Sequence, residues 1–323
     1  MIRKILVVTV LLWCAPLFAE TIVDGDGIER EIGLGLNIEA IEQSMANKAD
    51  VLMDEELPTD IPSVYMPSKY YDATKLTNLN QGNLGSCYSF GHFANLIFYS
   101  WLKNYSIANG LAAQVNQLLT SIETANRVSP MQAISYCTSY YNGGWGDEGL
   151  ELAKKHGIIY LKDVPYKAAR INPCPLTKAD ASEKIMEWGY VANGWIDVDQ
   201  IKPYIMKYGA VAIAVNASYL TVTKANVKTG NQSLNHSVLA IGWDENNILD
   251  IVNSWHDGLW KPYYYKGKVY AASFVKVANF SEIIPEPTPT PIPVDMTLVW
   301  KILVGLLILG LGIGAGIYFG RKN

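Results

Sequence analysis

The run Gln81-Gly82-Asn83-Leu84-Gly85-Ser86-Cys87-Tyr88-Ser89-Phe90-Gly91-His92-Phe93-Ala94-Asn95-Leu96-Ile97-Phe98-Tyr99-Ser100-Trp101-Leu102 passes from a polar, glycine-punctuated loop into a helical pattern at Cys87. Phe90, Phe93, Ala94, Ile97, Phe98, Trp101 and Leu102 recur at the i, i+3, i+4 and i+7 spacing over several turns. Such a pattern predicts a helix buried through a wide face, the central helix of a domain. Cys87 falls in its first turn, where unpaired N–H groups and the helix dipole favour an anion and so stabilise a thiolate against the thiol. On position alone, an ordinary buried cysteine is the competing reading.

Downstream of this helix the spacing predicts further helices over 111–122, over 130–137 behind a Ser129 cap, over 148–156 between Asp147 and Gly157, and over 198–208 ending at Gly209. After Gly209 the texture changes to β-branched or alternating stretches at 210–215, 237–243, 248–254 and 273–277, separated by polar turns. Helices first and strands afterwards predict an α+β protein with two unlike lobes and a cleft between them.

Upstream, Thr21-Ile22-Val23, the turn Asp24-Gly25-Asp26-Gly27 and the stretch Ile28 to Ile32 read as a hairpin. Asn37 then caps a helix carrying Ile38, Ile41, Met45, Ala49 and Leu52 on one face, with Glu39 and Glu42 in its first turn. A hairpin and one helix are too small to fold alone and need a larger body to lie on. Leu57-Pro58 and Pro62 break this pattern and open the main domain.

The two ends carry different signals. Met1-Ile2-Arg3-Lys4, the apolar run to Phe18 and then Ala19-Glu20 have the order of a secretory signal peptide, which predicts residues 1–19 as a removable leader. At the other end, Ile302 to Phe319 is uncharged and bounded by Lys301 and Arg321-Lys322. It is just long enough to cross a hydrocarbon core of about 30 Å. Residues 298–320 are therefore expected to anchor the chain in a membrane, with 321–323 as a cytoplasmic tail, in agreement with the positive-inside rule. The proline-rich stretch 284–297 between body and anchor predicts an extended stalk. Half of the 323 residues are apolar, the net charge is −4, and no Lys/Arg run exceeds a pair, so a sizeable core is expected and nucleic acid is excluded as a partner. No Cys/His cluster has zinc spacing, and no metal or other cofactor is expected.

Three segments carry the chemistry. The stretch from Gln81 to Phe90, with Gln six residues before the Cys, Gly-Ser ahead of it and an aromatic residue after it, resembles the nucleophile segment of the papain-like cysteine peptidase family (papain/cathepsin type). Leu234-Asn235-His236-Ser237-Val238-Leu239-Ala240-Ile241-Gly242-Trp243 resembles that family's histidine segment, and Val252-Asn253-Ser254-Trp255 its asparagine segment. The resemblance covers most of 57–277. It implies a papain-like two-lobe fold over 57–283, with a helical N-terminal lobe, an antiparallel β C-terminal lobe and the active-site cleft between them. It also implies a cysteine endopeptidase in which Cys87 is the nucleophile, His236 exchanges its proton, Asn253 orients the ring and Gln81 donates to the oxyanion. A Cys–His pair makes physical sense of this, because proton transfer to the imidazole gives a thiolate that a lone cysteine lacks at neutral pH. Trp255 is expected to shield the His236–Asn253 hydrogen bond.

By the same resemblance, substrate backbone runs along Gly143-Gly144, and Trp145, Gly146, Ala217, Leu234 and Ser237 line the main specificity pocket. Cys137 and Cys174 are expected to form a disulfide, which an exported domain permits. The second disulfide of the family is missing, with Leu84 and Tyr141 at its positions, and His256-Asp257-Gly258-Leu259-Trp260 replaces the usual glycine-rich continuation after the asparagine. A family member of this kind is held inactive by a propeptide, and residues 20–56 are the candidate, acting as an intramolecular inhibitor. The partners implied are protein or peptide substrates and, through the anchor, a membrane; a bacterial envelope is the preferred setting. A papain-fold amidase or acyl/amine transferase, and a non-catalytic binding module, are the rival readings. His92 is expected to pack, and His156 to complement a helix C-terminus.

Overall fold

The structure is a computed structural model that describes residues 20–32, 35–48, 56–108, 112–136, 143–166, 185–255, 258–259 and 261–277. The predicted leader, stalk, anchor and tail and the Cys137–Cys174 pair lie outside the described residues. Among the described residues no helix is long and apolar enough to cross a membrane.

The chain begins with the expected hairpin, β1 (Glu20–Val23) paired antiparallel with β2 (Glu29–Ile32), followed by α1 (Ile38–Lys48). Asn37 caps α1 as predicted, its Oδ1 accepting the Ala40 N–H at 3.1 Å. After the short β3 (Thr77–Asn78), the central helix starts at Cys87, runs through a π-helical turn over Ser89–Asn95 and continues as α2 (Leu96–Ala108). The π turn lies where the helix presses on the sheet. A Cβ at Gly91 would stand 2.8 Å from the carbonyl carbon of Ser237, so only glycine permits this approach. Next come α3 (Ala112–Asn126), α4 (Met131–Tyr136) and α5 (Asp147–His156). Ser129 Oγ accepts the Met131 N–H at 3.3 Å, the predicted cap, and Gly157 stops α5 with φ of 102°.

The remainder is mainly sheet: β4 (Ile185–Tyr190), β5 (Trp195–Ile196), then α6 (Val198–Tyr208), β6 (Val211–Val215), β7 (His236–Trp243), β8 (Leu249–Val252), β9 (Gly258–Leu259), β10 (Tyr263–Tyr265) and β11 (Val269–Val277). Helix α6 opens with a capping box in which Asp197 and Gln200 satisfy each other's backbone N–H groups. Seven strands form one antiparallel sheet in the order β10-β8-β7-β6-β11-β4, with β5 on β11.

The sheet separates two cores, and its strands are buried on both faces. Ala212, Ala214, Leu239 and Ile241 face the first core, made with α2, α3, α4 and α5. Val211, Ile213, Val215, Val238 and Ala240 face the second, closed by Ile201, Ile205 and Tyr208 of α6. This strict two-residue alternation is what a pleated strand imposes when both sides are apolar. The expected α+β architecture is therefore present, with differences in detail: β4 and β5 precede α6, β9 and β10 were not expected, and β11 starts at Val269 instead of Ser273.

Candidate active site

Cys87 is fully buried at the start of the central helix. Around its sulfur lie the backbone N–H groups of Ser237, Gly35, Tyr88 and Cys87 itself. Burial nevertheless dominates, and the thiol is pushed up to about 11 against these four donors. The Ser237 contact matters for geometry, because it places the sulfur against the residue next to His236, at the head of β7.

His236 is also fully buried. Its Nε2 lies 2.8 Å from Asn253 Oδ1, and the same oxygen accepts the Ser254 backbone N–H at 2.8 Å. An atom that accepts from a backbone N–H is the amide oxygen, so Nε2 carries the proton it donates and Nδ1 carries the lone pair. Nδ1 has no hydrogen-bond partner among the described residues. The indole of Trp255 stacks on the imidazole with centroids 4.8 Å apart. Burial lowers His236 to about 4, opposed by its bond to Asn253. Burial thus leaves both groups neutral, Cys87 as a thiol and His236 as an imidazole.

Gln81 is tied to the asparagine segment twice. Its backbone N–H donates to Ser254 O at 2.9 Å, and its Oε1 accepts from Ser254 Oγ at 2.6 Å. The side-chain Nε2 donates to Leu84 O at 2.9 Å. Tyr166 holds the same loop from outside, with its hydroxyl donating to Gln81 O at 2.8 Å and lying 2.9 Å from Ser86 Oγ. Sequence reasoning gave Ser254 and Tyr166 no such roles; Ser254 stood between two named residues, while no local pattern announces Tyr166.

Gly143 and Gly144 are occupied by the chain's own N-terminal segment. Gly144 N donates to Gly35 O at 3.0 Å and Gly144 O accepts from Asn37 N at 3.4 Å, a parallel bridge centred on Leu36. Half-buried Leu36 packs against the first core, to which Trp145 belongs, and Leu234 does the same. Trp145 is buried with its Nε1 donating to Tyr190 O–H at 2.6 Å, and Gly146 is pressed against His92. Ser237 is buried against Gly91. Ala217 packs in the second core, with its N–H on Asn235 Oδ1 at 2.8 Å.

The segment before Gly35 is anchored on the far side of the site. Arg30 lies over the Trp255 ring at 5.6 Å while bonding Asp24 at 2.6 Å. The turn docks through Gly25 N on Leu220 O at 2.7 Å and Asp26 on Val222 N at 2.5 Å. After Gly35, α1 reaches α5, where Ser44 hydrogen-bonds Asp147. Asp147 also accepts from Tyr190 O–H at 2.5 Å and pairs with buried His92 at 2.7 Å, so His92 is the packing residue expected. His256 lies outside the described residues, as do Cys137 and Cys174. Among the described residues no group of His, Cys, Asp and Glu could hold a metal ion.

A nucleophile at a helix start, a base fixed in one tautomer and a backbone ladder beside them can perform acyl transfer on an amide. Comparison with known proteins agrees. The family model described as papain family cysteine protease matches residues 69–266. Gamete and mating-type specific protein A of Dictyostelium discoideum is 30% identical over 192 residues, covering 56% of this chain and 37% of that protein. Probable cysteine protease RD19B of Arabidopsis thaliana is 26% identical over 236 residues, covering 68% of this chain and 61% of that one. The chain thus spans less than two thirds of the length of these curated relatives. Among solved structures, digestive procathepsin L 3 of Tenebrio molitor larval midgut superposes with a TM-score of 0.50 at 16% identity over 76% of each chain, a likeness of fold.

Proposed function

Because the chain belongs to the papain family of cysteine proteases, we propose that it is an endopeptidase that cleaves peptide bonds with Cys87, and that residues 20–56 form a pro-segment closing its cleft. The observation that carries this reading is the backbone pairing of Gly35 to Asn37 with Gly144, which brings Gly35 among the groups around the Cys87 sulfur. A chain lying across a nucleophile in this way stands where a substrate would lie.

Once the segment is gone, water and substrate reach the pair and the burial that keeps both groups neutral is relieved. The Cys87 proton passes to His236 Nδ1, the lone-pair nitrogen, giving thiolate and imidazolium at the helix N-terminus. Sulfur attacks the scissile carbonyl carbon, and the oxyanion is met by the Cys87 backbone N–H and the Gln81 amide, which Ser254 holds. The C–N bond breaks as His236 returns the proton to the leaving amine. Water then loses a proton to His236 and attacks the thioester, and the carboxylic acid leaves as the thiol is restored. Asn253 keeps the ring in one tautomer throughout, without adding charge.

The export signal, the stalk at 284–297 and the span at 298–320 complete the reading: a catalytic body held outside a membrane. Sedimentation with membranes after alkaline wash, lost on truncation before residue 298, tests the anchor. The activity itself is tested with an epoxide peptidase inhibitor and a peptide library. Labelling of Cys87 with cleavage of internal peptide bonds, both lost in Cys87→Ala, supports the proposal. Labelling with turnover of non-peptide amides alone would replace it with the amidase reading.

A further inference from the structure

The last turn of α1 places a lysine in a prepared seat on the body. Lys48 Nζ lies 4.1 Å from the centroid of the Trp188 ring and 2.5 Å from Glu151 Oε1. The seat is built by the body alone: Trp188 Nε1 donates to Glu151 Oε1 at 2.9 Å, which fixes the carboxylate at the ring edge. Trp188 is itself immobilised, buried to 1% exposure and edge-on to Tyr190 at 5.9 Å. The surrounding wall is acidic, with Asp147 and Glu148 beside Glu151, and it opens on a cavity of about 560 Å³ that runs under α1. Lys154, the nearby cation of α5, is committed to Glu187 at 2.7 Å and does not fill the seat.

We propose that this ring-and-carboxylate seat is a substrate exosite for a lysine or arginine side chain, emptied when the pro-segment leaves. The inference rests on the pro-segment reading above and adds a second point of substrate selection outside the catalytic cleft. A cation over a tryptophan face with a carboxylate at its side is a recognised way to hold an ammonium or guanidinium group, and Lys48 is the chain's own stand-in for that ligand. Its distance from the cleft sets the register. Eleven helical residues from Ile38 to Lys48 span about 16 Å, which an extended peptide covers in about five residues. Ile38 lies two residues past Leu36, which pairs with Gly144, so a basic residue about seven positions beyond the paired one reaches the seat.

The test uses the full chain after its own processing, with active sites titrated, and a fluorogenic peptide extended on both sides of the scissile bond. One lysine is placed at each position in turn, with norleucine as the reference. The expected result is a KM lowered about three- to tenfold at one register, weakened by salt and lost in Glu151→Gln, which keeps an acceptor for Trp188 but removes the charge. A flat scan on an enzyme whose activity rises on processing, or a lysine advantage that survives in Glu151→Gln, overturns this inference alone. If processing leaves hydrolysis of the norleucine peptide unchanged, α1 was never an obstacle, and the pro-segment reading falls together with the exosite.

Discussion

Replacing Gly35 by alanine should switch on the uncut chain. A Cβ at this position would stand 2.0 Å from the Gly85 carbonyl oxygen, 2.3 Å from its carbonyl carbon and 2.7 Å from its Cα. All three are backbone atoms of the loop that delivers Cys87, and carbon contacts prefer about 3.5–4.0 Å. Neither side can give way without moving the nucleophile, so the segment lifts. Overpacking typically costs about 1–3 kcal/mol, while the two hydrogen bonds to Gly144 are lost on opening in wild type and variant alike and cancel. The closed state thus loses about 1–3 kcal/mol, or roughly five- to hundredfold in the open fraction, at about 1.4 kcal/mol per tenfold. The assay is hydrolysis of a short fluorogenic peptide by freshly purified Gly35→Ala chain, shown intact on a gel, against the uncut wild type. A rate roughly five- to hundredfold higher is expected, with the two enzymes identical once processed because residue 35 has then departed. A folded variant as silent as the wild type would refute the claim that this segment blocks the sulfur.

Acid should destabilise the uncut fold. Burial lowers His236 from 6.5 to about 4, so the folded chain prefers the neutral ring; this contribution is full above 6.5, the unfolded value, and is lost as pH falls toward 4, by up to about 3 kcal/mol. Denaturant unfolding of the wild type and His236→Gln across this pH range checks it, and an identical pH dependence in the two contradicts it. Asn253→Ala removes the acceptor that fixes the His236 tautomer and should lower kcat of the processed enzyme about 10–100-fold with KM little changed, measured by steady-state kinetics. Tyr190→Phe deprives Trp145 Nε1 of its acceptor and Asp147 of a donor, and should cost about 1–3 kcal/mol in denaturant unfolding.

Where one pattern repeats over several turns or strands, the chain could be read directly. The aromatic period after Cys87 identified the buried helix, and capping residues such as Asn37 and Ser129 marked boundaries that the structure retains. Strands β6 and β7 were legible because they are apolar on both faces. β4 was not: its burial runs irregularly, with Met186 exposed at 53%, so Ile185 to Tyr190 carries neither a two-residue nor a helical period. β10, three consecutive tyrosines, has no alternation to detect. In the site, Cys87, His236 and Asn253 stand in segments whose local order is informative. The Tyr166 clamp on Gln81, the Asp147–Tyr190–Trp145 chain and the seat for Lys48 join residues tens of positions apart, and such contacts leave no trace in local spacing.

The central claim is that Cys87 and His236 share a proton once the covering segment leaves. The pH dependence of Cys87 alkylation by iodoacetamide, compared between uncut and processed chain, tests it most directly. Cys87 in the uncut chain, held up to about 11 by burial, should react only as the solution turns alkaline. In the processed chain, reactivity should persist well below the ordinary thiol range and lose that persistence in His236→Ala. A processed enzyme whose Cys87 titrates as an ordinary thiol, with or without His236, would contradict the account.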